Sequence, residues 1–557
     1  MTHPRRHAAP PTAATETPKN IGAKKSHSAR AKHTPTGANR NPVQTGPLLS
    51  RYGELFQDIQ DELSYFLPVD ALAAGTYRYL YHLGDYSPAN ILLVQQFVQE
   101  KRDVAAHMDQ ARLSNAEHRS ALMLGPYLDS ILALIDAGYF GDSVWQLRNA
   151  RKGLYQLLYM TEIPMYIRGK ALVHRLEELF TPPTAPAQSV QLRSSVDRDL
   201  ALEELHLMQQ YLNFAEDRAS RFDDKQAIAE RVQKARQYLT RVEPRLSLQS
   251  ATTLSPHSAL LAAAFPSLDE AEMAQAQDHL GREIENLKHQ LGERAARLDA
   301  SRPSEQVVEE VLLTSLGRHL DQATMDAWMA SDYPRLRTFF PSYKLQATPV
   351  PAPEGIPLPP HETPDGVSLK GTSLERRQVF YPVSFSRRCL SPEIAMMLAY
   401  FPGRAYIQAA ISNWDPGLPL HIQREVFVSA LALFELQNIA DLDGMMSPEN
   451  ALLTTLLLLI EDVAAAMDTE ILQNRLTHND VPTFLREQLP LRADLAVSFS
   501  PVVSSDFGLS LARFVLRSRF RELRRISRTS NKKISWTAFY RAILEHGAFD
   551  PTQLNYS

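Results

Sequence analysis

The chain has 557 residues, too many for one ordinary domain, and its net charge is -4. Hydrophobic residues make up 44%, enough to bury a core, while 22 glycines stand against 37 prolines. So little glycine disfavours sandwiches, barrels and doubly wound nucleotide folds, and a single cysteine excludes a disulfide framework or Cys-rich zinc module.

Charge is divided unevenly along the chain. Residues 1–50 carry eight Arg/Lys and one acid, a net +7, which leaves -11 for the remainder. Seven prolines and almost no large apolar residue before Leu48 prevent that stretch from burying enough surface to offset the entropy of ordering. Residues 1–48 are therefore expected to be a disordered basic arm, with Arg5, Arg6, Lys24, Lys25, Arg30 and Lys32 as its cations. Such an arm suits a polyanion contact, a nuclear import signal or a solubilising tail.

From Leu48 onward the pattern is helical. Leu55, Phe56, Ile59, Leu63, Phe66 and Leu67 recur at helical spacing up to Pro68. Ser87-Pro88 reads as an N-cap followed by proline at the first helical position, opening a helix to about Met108. Further helices are expected over 116–137, kinked at Pro126 and ended by Gly138, and over 144–160. The spacing divides the ordered part into a helical domain at 49–180, a short linker at 181–195 and a second helical domain at 196–345. In the latter, Leu280, Ile284, Leu287 and Leu291 lie on a heptad seam with polar breaks at Gln277 and Arg294. That seam is either a coiled-coil contact with a partner or a helix packed in its own bundle. Residues 349–364 hold seven prolines, so 346–374 is expected to be an extended, proline-rich linker before a C-terminal helical domain at 375–557. The expected fold is all-α, as several helical bundles.

Motifs for chemistry are sparse. Gly366 to Gly371 has the glycine spacing of a phosphate loop, but Thr372 stands where the lysine must be. Asp441-Leu-Asp443-Gly444 places its glycine too early for a calcium loop and lacks the bidentate acid. Cys389 beside Arg387 and Arg388 has no partner histidine in any recognisable local signature, and no histidine pair sits at metal-ligand spacing. No enzyme activity, cofactor or metal is expected.

One helix carries a physical message. Arg513, Arg517, Arg521, Arg524, Arg525 and Arg528 share one helical face, with Leu516, Phe520, Leu523 and Ile526 filling the adjoining face, and Lys532 and Lys533 extend the charge. The ridge either meets phosphates or an acidic protein surface, or it is a solvated face whose arginines pair with acids of the same body.

At Tyr86-Ser-Pro-Ala-Asn90, then Ser120, Leu124, Tyr127 and Leu128, the chain resembles the hexon-associated minor capsid protein of adenoviruses, the IIIa precursor. Met160-Thr-Glu-Ile-Pro164 and Leu254-Ser-Pro-His-Ser258 follow in the order of that family. The resemblance implies a capsid cement protein of the virion and host nucleus, contacting penton base, hexon and another minor capsid protein. The residues alone suggest an intracellular, non-enzymatic assembly protein with protein partners and no membrane. The alternatives are a nucleic-acid-binding packaging factor and a bacterial secretion-system gatekeeper or effector.

Overall fold

In the computed structural model the described residues are 51–73, 76–109, 113–159, 163–188, 191–192, 195–248, 261, 270–318, 327, 330, 347–351, 367–368, 377–381, 390–391, 393–394, 397, 418–420, 422–442, 444–504, 508–529 and 539. The expected basic arm, Cys389, Lys532 and Lys533 lie outside them.

The fold is all-α. The first half contains α1 (Arg51–Phe66), α2 (Pro68–Ala73), α3 (Pro88–Ala106), α4 (Asn115–Asp136), α5 (Ser143–Tyr159), α6 (Met165–Glu178), α7 (Ser195–Arg218) and α8 (Lys225–Leu248). The second half contains α9 (Glu270–Leu298), α10 (Ser304–Leu316), α11 (Ile422–Ala440), α12 (Pro448–Leu472), α13 (Val481–Gln488), α14 (Ala493–Val497), α15 (Ser500–Ser504) and α16 (Leu509–Thr529).

Local chemistry sets several of these starts. Ser87 is extended, its hydroxyl accepts from Asn90 N, and Pro88 occupies the first turn of α3, where its missing N–H costs nothing. Ser447 and Pro448 repeat the arrangement at α12, and Ser114 forms a reciprocal capping box with Glu117 at α4. Gly138, just past α4, takes a φ of +68°, a conformation that costs glycine little.

The proline-rich segment departs from expectation. Ala347–Pro351 (β1) pairs in parallel with Arg377–Tyr381 (β3), and Val367–Ser368 (β2) pairs antiparallel on the other side. The strand order β1-β3-β2 puts β1, with Pro349 and Pro351, at an edge, the position where strand prolines are tolerated. Parts of the expected linker are thus sheet.

Residues 50–557 form one compact unit whose buried side chains fall into two clusters. One gathers α1, α3 and α4 with α9 to α12 and α16; the other is built from α2 and α5 to α8. The chain therefore starts in the first core, contributes Val69, Leu72, Leu80 and Leu83 to the second, and returns to the first from Val94 to Phe140. It builds the rest of the second from Val144 through Leu246 and then goes back to the first. These cores cut across the expected 49–180 domain. Residues 181–195 do not act as a spacer, since Ala187 and Leu192 are buried in the second core and Tyr238 Oη donates to Pro186 O at 2.7 Å. Across the long chain separation Tyr127 Oη donates to Pro419 O at 2.7 Å, tying α4 to the entry of α11.

α12 is long and apolar enough, by length and composition, to cross a membrane. Its apolar window is 89% buried against neighbouring helices, so here it is the central strut of the larger core.

Candidate functional site

The arginine ridge of α16 faces inward over its first three turns. Arg513 donates to Glu461 Oε2 at 3.0 and 3.1 Å, and its Nη2 also reaches Ser510 Oγ at 2.9 Å. Arg517 pairs with Asp462, both about 1% exposed. Arg521 reaches Glu283 Oε1 at 2.6 Å and Gln437 Oε1 at 2.6 and 3.0 Å. The acids and the amide come from α9, α11 and α12, and the three arginines step by four residues, so they stand about one turn apart on the same face of α16. Burial raises Asp462 from 3.8 to about 6, against the opposing pull of Arg517, and burial likewise lowers His279 and Arg521. Asp468 Oδ2 accepts from Leu511 N at 3.1 Å and so caps α16 from a neighbouring helix.

The expected exposed contact face is corrected by this burial. Arg513 and Arg517 are enclosed by their own chain's carboxylates, and Leu516 and Phe520 are buried as well. Among the described side chains of α16 the exposed ones are Glu522, Arg525 and Ile526 near its end, where Arg525 pairs with Glu522 at 2.6 Å; Arg524 lies 5.5 Å from the Phe539 ring centre. The side chain of Arg528 lies outside the described residues. The heptad seam is likewise internal: Leu280, Ile284, Leu287 and Leu291 are buried in the larger core, where α9 packs on α12. Its polar break Arg294 bonds Ala440 O and Asp441 Oδ1, each at 2.9 Å, at the end of α11.

The sequence gives no hint of a cleft of about 600 Å³ where the entry of α3, the end of α4, the start of α5 and residues 183–191 meet. It lies between the two cores. Tyr86 lines the cleft with the fully buried Phe140 stacked behind it, and both pack edge-on against Trp145 with ring centres 4.7 and 5.1 Å away. Gln95, Asp136, Gln146, Asn149, Gln188 and Gln191 supply the polar edge. Asp136 is the only charged side chain among the described lining residues. Its Oδ1 accepts from Gln95 Nε2 at 2.6 Å. Asn149 Nδ2 donates to Tyr86 Oη at 3.1 Å, and burial pushes that phenol well above its usual range, so it stays neutral. Gln146 is fixed from both ends, donating to Phe140 O at 2.9 Å and accepting from Ala187 N at 2.8 Å. A Cβ added to Gly141 would fall 2.8 Å from Gln191 Oε1, so glycine here lets that amide lie across the turn.

Behind α5, Arg175 of α6 is fully buried, and burial lowers its guanidinium to about 10. It donates to Gly153 O and lies 3.4 Å from Gln156 Oε1. Gly153 is what admits this packing, since an added Cβ would fall 2.5 Å from Leu83 Cδ2 and 3.3 Å from Arg175 Nη1. A lone glycine inside a helix was the one available sequence signal. No group of three His, Cys, Asp or Glu placed to hold a metal occurs among the described residues.

No protein-family model matches the chain, and no curated protein matches it. Two solved structures share the fold. One, from Shewanella oneidensis, is provisionally described as a lipoprotein of unknown function; it is 13% identical, with a TM-score of 0.64 over 91% of this chain and 99% of its own. The other, from Colwellia psychrerythraea, is also provisionally described as a lipoprotein, at 14% identity and a TM-score of 0.66 over 90% and 97%. These likenesses to bacterial proteins overturn the expected kinship with the adenoviral IIIa precursor. With it go the capsid role and the virion and nuclear locations.

Proposed function

We propose that this protein is a binding protein for an uncharged saccharide, held in the cleft between its two cores. The observation that carries the reading is the lining: the half-buried ring of Tyr86, backed by the buried Phe140, beside an amide-rich edge with no lysine, arginine or histidine among the described residues. Amides serve hydroxyl groups as both donor and acceptor, and an aromatic face accepts the apolar side of a sugar ring. An anionic ligand would find no cation there. The single carboxylate also favours binding over hydrolysis, because glycoside cleavage ordinarily needs two carboxyl groups flanking the scissile bond. The similar structures from Shewanella oneidensis and Colwellia psychrerythraea are provisionally described as lipoproteins, and saccharides are abundant at the cell envelope where lipoproteins reside, which supports the ligand class.

Trp145 packs on both Tyr86 and Phe140 and so reports on the cleft through the Tyr86 ring. Titration with N-acetylglucosamine and maltose is expected to change its fluorescence saturably, whereas glucuronate and glucose 6-phosphate leave it unchanged. Equal binding of the charged sugars, or no response to any neutral sugar at roughly 10 mM, overturns the reading.

A further inference from the structure

A second cleft, of about 500 Å³, opens at the junction of α9, α10 and the start of α12, and its chemistry is different. Its apolar side is formed by Met397, Met445, Met446 and Leu453. Methionines are flexible and polarizable, so such a surface adapts to an unbranched aliphatic chain. The rim carries four carboxylates, Asp299, Glu310, Glu393 and Glu449, against two guanidinium groups, Arg302 and Arg318. Arg302 is held by Asp299 at 2.6 Å and by Glu310, and Arg318 is held by Glu393. Both cations are thus already paired, and negative charge is in excess around the cleft. Deeper in, Ser315 is 5% exposed, and its Oγ has no hydrogen-bond partner among the described residues. The buried Oε2 of Glu393 has none either. Buried acceptors left without a donor are destabilising unless a ligand or water supplies one.

We propose that this cleft binds a primary alkylammonium ligand. The ammonium group donates to Glu393 Oε2 and Ser315 Oγ, and the aliphatic chain lies along the methionine side. An ammonium has three donors and no acceptor, which matches two unmet acceptors within an acid-rich rim. An apolar molecule without the charge would leave both unmet, and a carboxylate would be repelled.

Calorimetric titration of the full chain with hexylamine, hexanol and hexanoate tests this. Hexylamine is expected to bind with an affinity that falls as salt is raised, hexanol at least about tenfold more weakly, and hexanoate not at all. Glu393→Gln keeps the shape of the side chain and should weaken hexylamine about tenfold or more, with an unchanged circular dichroism spectrum. Should Glu393→Gln disturb the fold by leaving Arg318 unpaired, Ser315→Ala reads the same contact without touching an ion pair. Hexanol matching hexylamine, hexylamine unaffected in the folded variants, or no heat with hexylamine at roughly 10 mM would each sink the proposal.

Discussion

Asp462 and Arg517 meet in the larger core with almost no exposure, and the carboxylate is held near 6 because burial outweighs the attraction of the guanidinium. Arg517→Met would leave that acid without its counter-charge, and a loss of about 3–5 kcal/mol near neutral pH is expected by urea denaturation. The loss should shrink near pH 5, where Asp462 takes a proton. Arg517→Met combined with Asp462→Leu should recover most of it, since a packed apolar pair of similar volume is often no less stable than a buried ion pair. The same carboxyl gives a pH dependence of definite sign. Its folded pKa lies above its ordinary 3.8, so the folded state binds the proton more tightly. Its contribution is therefore greatest below about pH 4 and is lost as pH rises through about 6, by roughly 1 kcal/mol per pH unit at most. Asp462→Asn should remove that slope between pH 4 and 6; a stability difference between the two proteins that does not vary with pH would refute the assignment.

Among the elements, α9 shows how a heptad pattern can serve its own chain. Leu287 is fully buried in the core that α9 shares with α12, and Leu287→Ala should cost about 2–5 kcal/mol while leaving the protein's oligomeric state unchanged in sedimentation. A change of assembly state with little loss of stability would instead make the seam an intermolecular contact. At α12 the Ser447 hydroxyl accepts from Asn450 N at 3.2 Å, so Ser447→Ala should cost about 1 kcal/mol in thermal unfolding. The same cap chemistry explains why the viral resemblance misleads. In Tyr86-Ser-Pro-Ala-Asn90, Ser87 and Pro88 start a helix and Asn90 Nδ2 donates to Asp85 O at 2.7 Å. Ser120 accepts from Tyr52 Oη at 2.7 Å, and Leu124 and Leu128 are ordinary core positions. Those residues answer to requirements that any long helix shares.

At the scale of the whole molecule, the order in which the chain builds its cores creates the cleft lined by Tyr86. α1, α3 and α4 belong with the C-terminal helices, so the passage from Phe140 to Val144 crosses from one core to the other, and the cleft sits at that crossing. A ligand there bridges both cores and binds only the folded state. Neutral saccharide at about 100 times its Kd should therefore raise stability by about 2.7 kcal/mol, read as an upward shift of Tm in a single transition. A shift confined to one of two resolved transitions would place the ligand on one core alone.

The amino-acid sequence by itself determined the helices and most of their ends, because capping serines, first-turn prolines and apolar residues at 3.6-residue spacing act within a few positions of one another. Pro88, Gly138 and Pro448 mark boundaries that are legible for that reason. What the α16 face would meet was not legible. Spacing puts Arg513, Arg517 and Arg521 on one side, but the acids and the amide that face them come from positions up to 238 residues away on α9, α11 and α12. The clefts are hidden for the same reason, since Asp136, Asn149 and Gln191 are unremarkable alone and acquire a common chemistry only when α4, α5 and the 183–191 segment converge. Tertiary structure decided which charges are buried and which polar groups share a cavity, because burial depends on what packs opposite a side chain, and local sequence carries only the side on which it stands.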